Sequence, residues 1–172
     1  MPNASATGLK TLWLAIGVVI LDQLSKMWAE NTLTLGEPMA VISHLNFTLN
    51  YNEGAAFSFL SDMGGVQRWL FTGLALVVTA VLLVWLRKLP AHWNCEVVGI
   101  NFVLGGAIGN VIDRVLAGKV TDFIDFYIGS WHYATFNVAD MAISAGAFCL
   151  IVHEFWWKPK QKCAAEKQEE NV

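Results

Sequence analysis

The sequence predicts an α-helical integral membrane protein with four transmembrane helices and a small extracytoplasmic β-sheet. Three observations carry that expectation. The 172 residues are 55% hydrophobic but only 15% charged, where a soluble domain carries about 25% charged residues. Eight tryptophans are present, and indoles favour the membrane–water boundary. Four windows approach the length of roughly 20 apolar residues that a spanning helix needs.

The first window, 11–28, carries Asp22 and Lys26 in its last turns. Its run "TLWLAIGVVIL" could pass for a signal-peptide core, but no small-x-small cleavage site follows, so a retained span is expected. The second window, 69–86, contains no charge, and the third, 97–112, is short and rich in glycine. The fourth, 138–157, has Asp140 near its start. The chain has no room for a second domain beside these spans.

The spans leave two connections on one side. In the first, 30–67, "NFTLNY" alternates: Phe47, Leu49 and Tyr51 face one way, Asn46, Thr48 and Asn50 the other. That is the period-two signature of a strand, and "NEGAAF" breaks it with Gly54. A small sheet resting on the membrane surface is expected there. Residues 113–137 form the second connection, and the tail 158–172 is charged, without apolar periodicity, and reads as disordered.

Basic residues set the orientation. Lys10, Arg87, Lys88, Lys158, Lys160, Lys162 and Lys167 fall on one side, and Lys26, Arg68, Arg114 and Lys119 on the other. Seven against four favours cytoplasmic termini. The polar residues Asp22, Lys26, Asn52, Asp113, Arg114, Asp122, Asp125 and Asp140 then gather at the outer boundary. Tryptophans 28, 69, 85, 156 and 157 read as interfacial anchors.

Each polar group has a structural reading beside a functional one. Asp22 and Lys26 are spaced i, i+4 and share a helix face, as an ion pair near a helix end or as ligand contacts. Gly105 and Gly109 make a GxxxG face that lets helices approach closely. Asn110, Asp113 and Arg114 share another face, either closing the helix end or forming a polar platform for a substrate backbone. Asn137 and Asp140 begin the fourth span, where a first-turn carboxylate suits the helix dipole. Asp122 lies in a β-rich run; if extended, it and Asp125 point to opposite faces. Carboxylates at membrane depth mark functional sites by default.

Several chemistries are thinly supported. Cys95, Cys149 and Cys163 show no CxxC spacing and read as free thiols. His44, His92, His132 and His153 share no ligand spacing, so neither a metal nor another cofactor is expected. Ser25 and Lys26 are adjacent and point apart on a helix, and no GxSxG occurs. The net charge of −3 gives no reason to expect nucleic-acid binding. What remains is a carboxylate pair. Two carboxylates in a partly dry site share one proton and titrate as a unit, a state suited to activating water against an amide. Spacing alone does not say which aspartates pair.

The run of motifs "DQLSK" (22–26), "NEGAAF" (52–57), "GGAIGNVIDR" (105–114), "VTDF" (120–123) and "FNVAD" (136–140) resembles the lipoprotein signal peptidases, the type II signal peptidases of bacteria. The resemblance covers roughly residues 10–157. It implies four transmembrane helices with a small sheet and a short interfacial helix over the site. It implies that Asp122 and Asp140 are the catalytic pair of an aspartic endopeptidase, with Asp125 in support. It also implies that Asp22, Lys26, Asn52, Gly54, Asn110, Asp113, Arg114 and Asn137 lie near the substrate. That substrate would be a diacylglyceryl-modified prolipoprotein, cut just before its lipidated cysteine near the outer leaflet of the bacterial inner membrane. Globomycin-like cyclic peptides would inhibit. Membrane lipid is the surrounding partner, a monomer is expected, and the polar loop 30–67 is placed to act as a lid.

Two rival classes make different demands. A proton-coupled transporter would use Asp22, Asp122 and Asp140 as a relay, but the polar groups gather at one boundary and no inverted repeat is visible. An assembly protein built on the GxxxG helix would tolerate Asn at 122 and 140.

Overall fold

The computed structural model describes residues 7–54 and 66–159. A short 3₁₀ turn, Gly8–Thr11, leads into α1 (Trp13–Thr32). Strands β1 (Pro38–Ile42) and β2 (Leu45–Asn52) follow, then helices α2 (Val66–Lys88) and α3 (Cys95–Leu116). Strands β3 (Val120–Ile128) and β4 (Trp131–His132) precede α4 (Val138–Val152), which runs on through a π-helical turn, His153–Trp157. Four helical segments are long and apolar enough to cross a membrane.

α2 and α3 reach past the windows read from hydropathy at both ends, and α1 at its C-terminal end, because polar residues extend them. Asn94 caps α3 by accepting from the Val97 N–H at 2.7 Å, as a short polar side chain does at a helix start. At its other end α3 continues to Leu116, so Asp113 and Arg114 sit on the helix rather than in the connection expected from 113 onward. The tail is also corrected: helical backbone continues through residue 159. Lys158 donates to both Glu154 carboxylate oxygens at 2.8 Å, the i, i+4 pairing that supports a helix end. The rest of the tail, with Cys163, lies outside the described residues, as do Ala55, Ala56 and Phe57 of the "NEGAAF" motif. Among the described residues no short interfacial helix occurs on the sheet side. Cys95 and Cys149 are free thiols.

α3 is the central helix and touches each of the other three. Its small residues permit this. A Cβ placed on Gly105 would stand 2.6 Å from Val18 Cβ and 2.7 Å from the Ala15 carbonyl, so the GxxxG face is where α1 meets α3 at backbone contact. Ala15, Leu82, Leu86, Val97, Ile100 and Leu104 form the core between helices. Ile16, Ile20 and Leu24 of α1 and Leu70, Leu74, Val77 and Val81 of α2 stay exposed, as expected where hydrocarbon is the solvent.

The sheet is larger than the first connection alone would build. Its order is β1-β2-β3-β4, antiparallel throughout, so both connections contribute. The alternation in "NFTLNY" is realised in part: Leu49 packs beside Ala29 and Phe123 with Phe47 against them, but the register shifts between Phe47 and Asn50 and Tyr51 is exposed. The opposite row is not left to water: Asn46 and Thr48 are buried because Asp125 needs donors. Trp28 leaves the role of a simple anchor, standing edge-on to Phe47 and Phe123 at centroid distances of 5.2 and 6.2 Å. This aromatic cluster fixes the sheet to the end of α1.

Candidate active site

Asn137 and Asp140 organise the start of α4. The Asn137 side-chain oxygen, Oδ1, accepts from the Asp140 N–H at 2.9 Å, and Asp140 Oδ2 accepts from the Asn137 N–H at 3.4 Å. This reciprocal arrangement is a capping box. It holds the Asp140 side chain back over the first turn and leaves Oδ1 to accept from Asn110 Nδ2 at 2.8 Å.

Asp122 comes from a different element and is carried to the same place by backbone pairing. In β3 it stands opposite Asn50 of β2. Two residues on, β3 meets the segment before α4: Ile124 and Phe136 exchange hydrogen bonds at 2.9 and 3.1 Å, and the Phe123 N–H also reaches the Phe136 carbonyl at 3.1 Å. The bridge sets residue 137 beside Asp122, where Asn137 Nδ2 donates to Asp122 Oδ1 at 2.7 Å. The same amide donates to Asn110 Oδ1 at 3.2 Å. Asp122 and Asp140, 18 residues apart in sequence (140 − 122), therefore join one amide chain, Asp122–Asn137–Asn110–Asp140.

A buried ionic cluster anchors that chain. Lys26 Nζ lies 2.8 Å from Asp22 Oδ2, 2.8 Å from Asp113 Oδ2 and 3.0 Å from Asn110 Oδ1. Asp22 also accepts from the Ala139 N–H at 2.8 Å, an anion at a helix N-terminus. Asp22, Lys26 and Asn110 are buried and the Asp113 side chain is 9% exposed, and charges so withdrawn from water persist only when paired. Arg114 donates to the Asn110 carbonyl at 3.3 Å, lies over the Phe71 ring, and is within electrostatic reach of Asp140, Asp113 and Asp122.

Burial, and next the nearby Asp140 carboxylate, push Asp122 up to about 6 from its ordinary 3.8. The amides of Asn137 and Asn52, and the charge of Lys26, oppose that shift. The charge of Asp140 thus disfavours the ionised form of Asp122.

Asp122 faces a cavity of about 480 Å³ whose wall includes Asn50, Asn52, Glu53 and Thr135. Of the candidates from sequence, Asn52 lines this cavity. Gly54 makes the turn beside it, with φ +93 and its N–H donated to Asn52 Oδ1 at 2.8 Å. A Cβ there would also meet the Phe71 ring at 3.0 Å. Asn110, Asn137, Asp22 and Lys26 are buried behind the pair, while Lys26 and Asp113 border a separate cavity of about 240 Å³. Asp125 is taken out of the pair by its own partners, His132, Thr48 and Asn46.

Three residues escaped the sequence reading. Gln23 Nε2 reaches Asp22, Asp113 and the Gly109 carbonyl at 3.2, 2.9 and 3.3 Å; its place beside Asp22 was the available signal. Thr121 donates its hydroxyl to Glu30 at 2.6 Å and its N–H to Asp113 at 3.3 Å, tying the start of β3 to α1 and α3. Neither Thr121 nor Glu30 stands out by spacing, because their contact spans 91 residues.

Four membrane-length helices, with a buried carboxylate network where they meet a small sheet, define a multi-pass membrane protein with an acidic site at one end of its bundle. The model of the family Signal peptidase (SPase) II matches residues 14–156. A lipoprotein signal peptidase of Hydrogenovibrio crunogenus is 62% identical over 172 residues, covering 100% of both chains. One from Serratia proteamaculans is 46% identical over 164 residues, 95% of this chain and 96% of the relative. Two solved bacterial membrane enzyme structures, determined by the in meso method at 1.9 and 2.3 Å, are 34% and 33% identical. Their TM-scores are 0.74 and 0.72; the first match covers 86% of this chain and 93% of that one, the second 83% and 85%. The chain belongs to the signal peptidase II family, a family of bacterial membrane peptidases.

Proposed function

We propose that this protein is an aspartic endopeptidase that removes the signal peptide from diacylglyceryl-modified prolipoproteins, cutting just before the lipidated cysteine. The observation that carries the reading is the shared amide chain between Asp122 and Asp140, with Asp122 raised by burial and then by its neighbour, and open to a cavity. The names of the relatives supply the substrate class.

In this reading Asp122 carries the shared proton and Asp140, held by donors, is ionised. Asp140 takes a proton from a water as its oxygen bonds to the scissile carbonyl carbon. Asp122 passes its proton to the carbonyl oxygen, giving a tetrahedral diol. On collapse Asp122 recovers that proton and Asp140 delivers its own to the departing nitrogen. The C–N bond breaks, the signal peptide leaves as a carboxylic acid and the cysteine keeps a free amine. Neither a nucleophilic side chain nor a cofactor enters.

A substrate with an apolar signal helix and a lipid anchor stays in the bilayer, so the carboxylates must sit at headgroup depth with water reaching in from outside. The basic-residue bias places both termini in the cytoplasm, and the site near the outer leaflet. Asn52, which lines the cavity, contacts the substrate, and Gly54 shapes the turn that presents it. Asp22, Lys26, Asn110, Asp113, Arg114 and Asn137 set the carboxylates from behind. The lid expected of 30–67 does not extend to β1 and β2, which pair into the sheet that Trp28, Phe47 and Phe123 fix to α1.

The deciding experiment incubates purified protein with a diacylglyceryl-modified prolipoprotein, wild type beside Asp122→Asn and Asp140→Asn. Cleavage by the wild type and near-complete loss in each variant are expected. Full activity in either variant would sink the mechanism.

A further inference from the structure

A second polar chamber adjoins the Asp122 cavity on its sheet side. It measures about 360 Å³, and Asn50 and Thr135 line both spaces. Their side chains meet at 3.4 Å and form the partition. Beyond it stand Pro38, Asp125, His132 and Tyr133. None of the chemistry proposed for Asp122 and Asp140 uses these groups, yet they are built with care.

Asp125 is buried, with its side chain 5% exposed. Its oxygens take Nδ1 of His132 at 2.9 and 3.1 Å, the Thr48 hydroxyl at 3.2 Å and the Asn46 amide at 3.4 Å. Facing carboxylate oxygens, Nδ1 serves as the donor of this pair. Nε2 then points away from Asp125 as the ring's free hydrogen-bonding atom, and no partner for it occurs among the described residues. Tyr127 stacks on the imidazole with centroids 5.3 Å apart and planes 20° from parallel. The ring is thereby fixed on two sides while half its side chain stays open, at 52%.

Distance says what the chamber could receive. Asp125 follows Asp122 by three residues on β3, about 10 Å at roughly 3.3 Å per residue. Three residues on one strand put the two aspartates on opposite faces, so a peptide that reaches both spaces passes over their shared wall, Asn50 and Thr135. The chamber's lining comes from β1, β2, β3, β4 and the segments beside them and from none of the helices, which argues for the aqueous side of the carboxylates. The signal helix must stay with the helices, which leaves this direction to the chain beyond the scissile bond.

We propose that this chamber is a subsite for the downstream chain, holding the backbone or a short polar side chain two to three residues past the lipidated cysteine. His132 makes the contact through Nε2, and Asp125 positions the ring. The inference rests on the peptidase reading above and adds to it a substrate region and the residues that select it.

The test compares two synthetic diacylglyceryl peptides: a long one with six residues after the lipidated cysteine, and a short one that ends at the cysteine amide. Each is given to wild type, His132→Ala and Pro38→Trp, the last filling the chamber from an exposed strand. Wild type should prefer the long peptide about fivefold in kcat/KM, chiefly through KM, the worth of one or two hydrogen bonds. The preference should collapse toward one in both variants. A merely structural role would lower both peptides in proportion and keep the ratio, and that outcome overturns the inference, as does a wild type indifferent to length. A wild type that cuts neither peptide overturns the peptidase reading itself, so the two failures are told apart.

Discussion

Asn110 donates its amide to Asp140 at 2.8 Å and accepts from Lys26 at 3.0 Å through the carbonyl end of the same side chain. The lysine thus decides which way the amide faces. With Oδ1 committed to Lys26 and to Asn137, only Nδ2 is left for the carboxylate. Asn137 is oriented in the same way, its oxygen taken by the Asp140 N–H and its nitrogen turned to Asp122. Both aspartates therefore meet donors, an order that a charge at the far end of the network imposes.

Replacing Asn110 with aspartate reverses that order at the atom facing Asp140. A second carboxylate there both removes a donor and adds like charge. Loss of a hydrogen bond to a charged group, about 1.5–3 kcal/mol, corresponds to about a 10–100-fold drop in kcat/KM for Asn110→Asp. Steady-state cleavage of a lipidated peptide measures it, and an unimpaired variant would contradict the assigned orientation.

The pH profile follows from Asp122, which burial and then Asp140 raise to about 6. If the protonated form is the working one, kcat/KM should fall as pH rises through about 6, since that limb reports the free enzyme. Asn137→Ala removes a donor that favours the ionised form, so the limb should move to higher pH. The same substitution removes the cap of α4, costing about 1 kcal/mol of stability. A limb that stays in place would separate Asn137 from the titration.

Stability should run against activity at this position. Because the folded value of about 6 exceeds the ordinary 3.8, the native state holds a proton between those pH values that the unfolded chain has released. The group's contribution to stability then declines as pH climbs from about 4 through 6 and stays unfavourable above. Asp122→Asn should melt higher than wild type at pH 8, by a margin on the order of 2 kcal/mol, and the margin should close toward pH 4. The asparagine oxygen can still accept from Asn137. Equal melting at every pH would show that no such penalty exists.

Lys26 is the hub whose removal should be least tolerated. It meets Asp22 and Asp113 at 2.8 Å each, and Lys26→Met would leave two buried carboxylates without their cation. Breaking one side of a buried ion cluster costs about 3–5 kcal/mol. The double change Lys26→Met with Asp22→Asn should recover part of that loss, read as thermal unfolding in detergent. Lack of recovery would mean that Asp22 is not what the lysine neutralises.

How much of this was legible beforehand divides along physical lines. The spans and the strand in "NFTLNY" follow from periodicities of the chain itself, and they were readable. The clustering of Asp22, Lys26, Asn110 and Asp113 followed from helix spacing plus topology. The way Asp122 reaches Asn137 was not readable, because it depends on the Ile124–Phe136 bridge, which pairs two segments with no local signal. The polar row Asn46 and Thr48 is buried under Asp125, which the period-two pattern did not foretell. Alternation shows that a strand has two faces but is silent on what covers the second.

The close approach of α1 to α3 offers the last test, since the network depends on it. At Gly105 an added methyl would meet the Ala15 carbonyl at 2.7 Å, and a backbone atom cannot rotate aside. Gly105→Ala must push α1 away from α3. Asp22 lies one turn beyond Val18 on α1 and would be drawn from Gly109 and from the Ala139 N–H. Overpacking of this kind costs about 1–3 kcal/mol, and a further loss of activity is expected because Lys26 moves with Asp22. Gly73→Ala on α2 is the matched comparison: its Cβ would meet nothing within 4 Å, so it should melt at or slightly above wild type. If the two variants melt alike, helix contact at Gly105 is not what holds the carboxylate network in register.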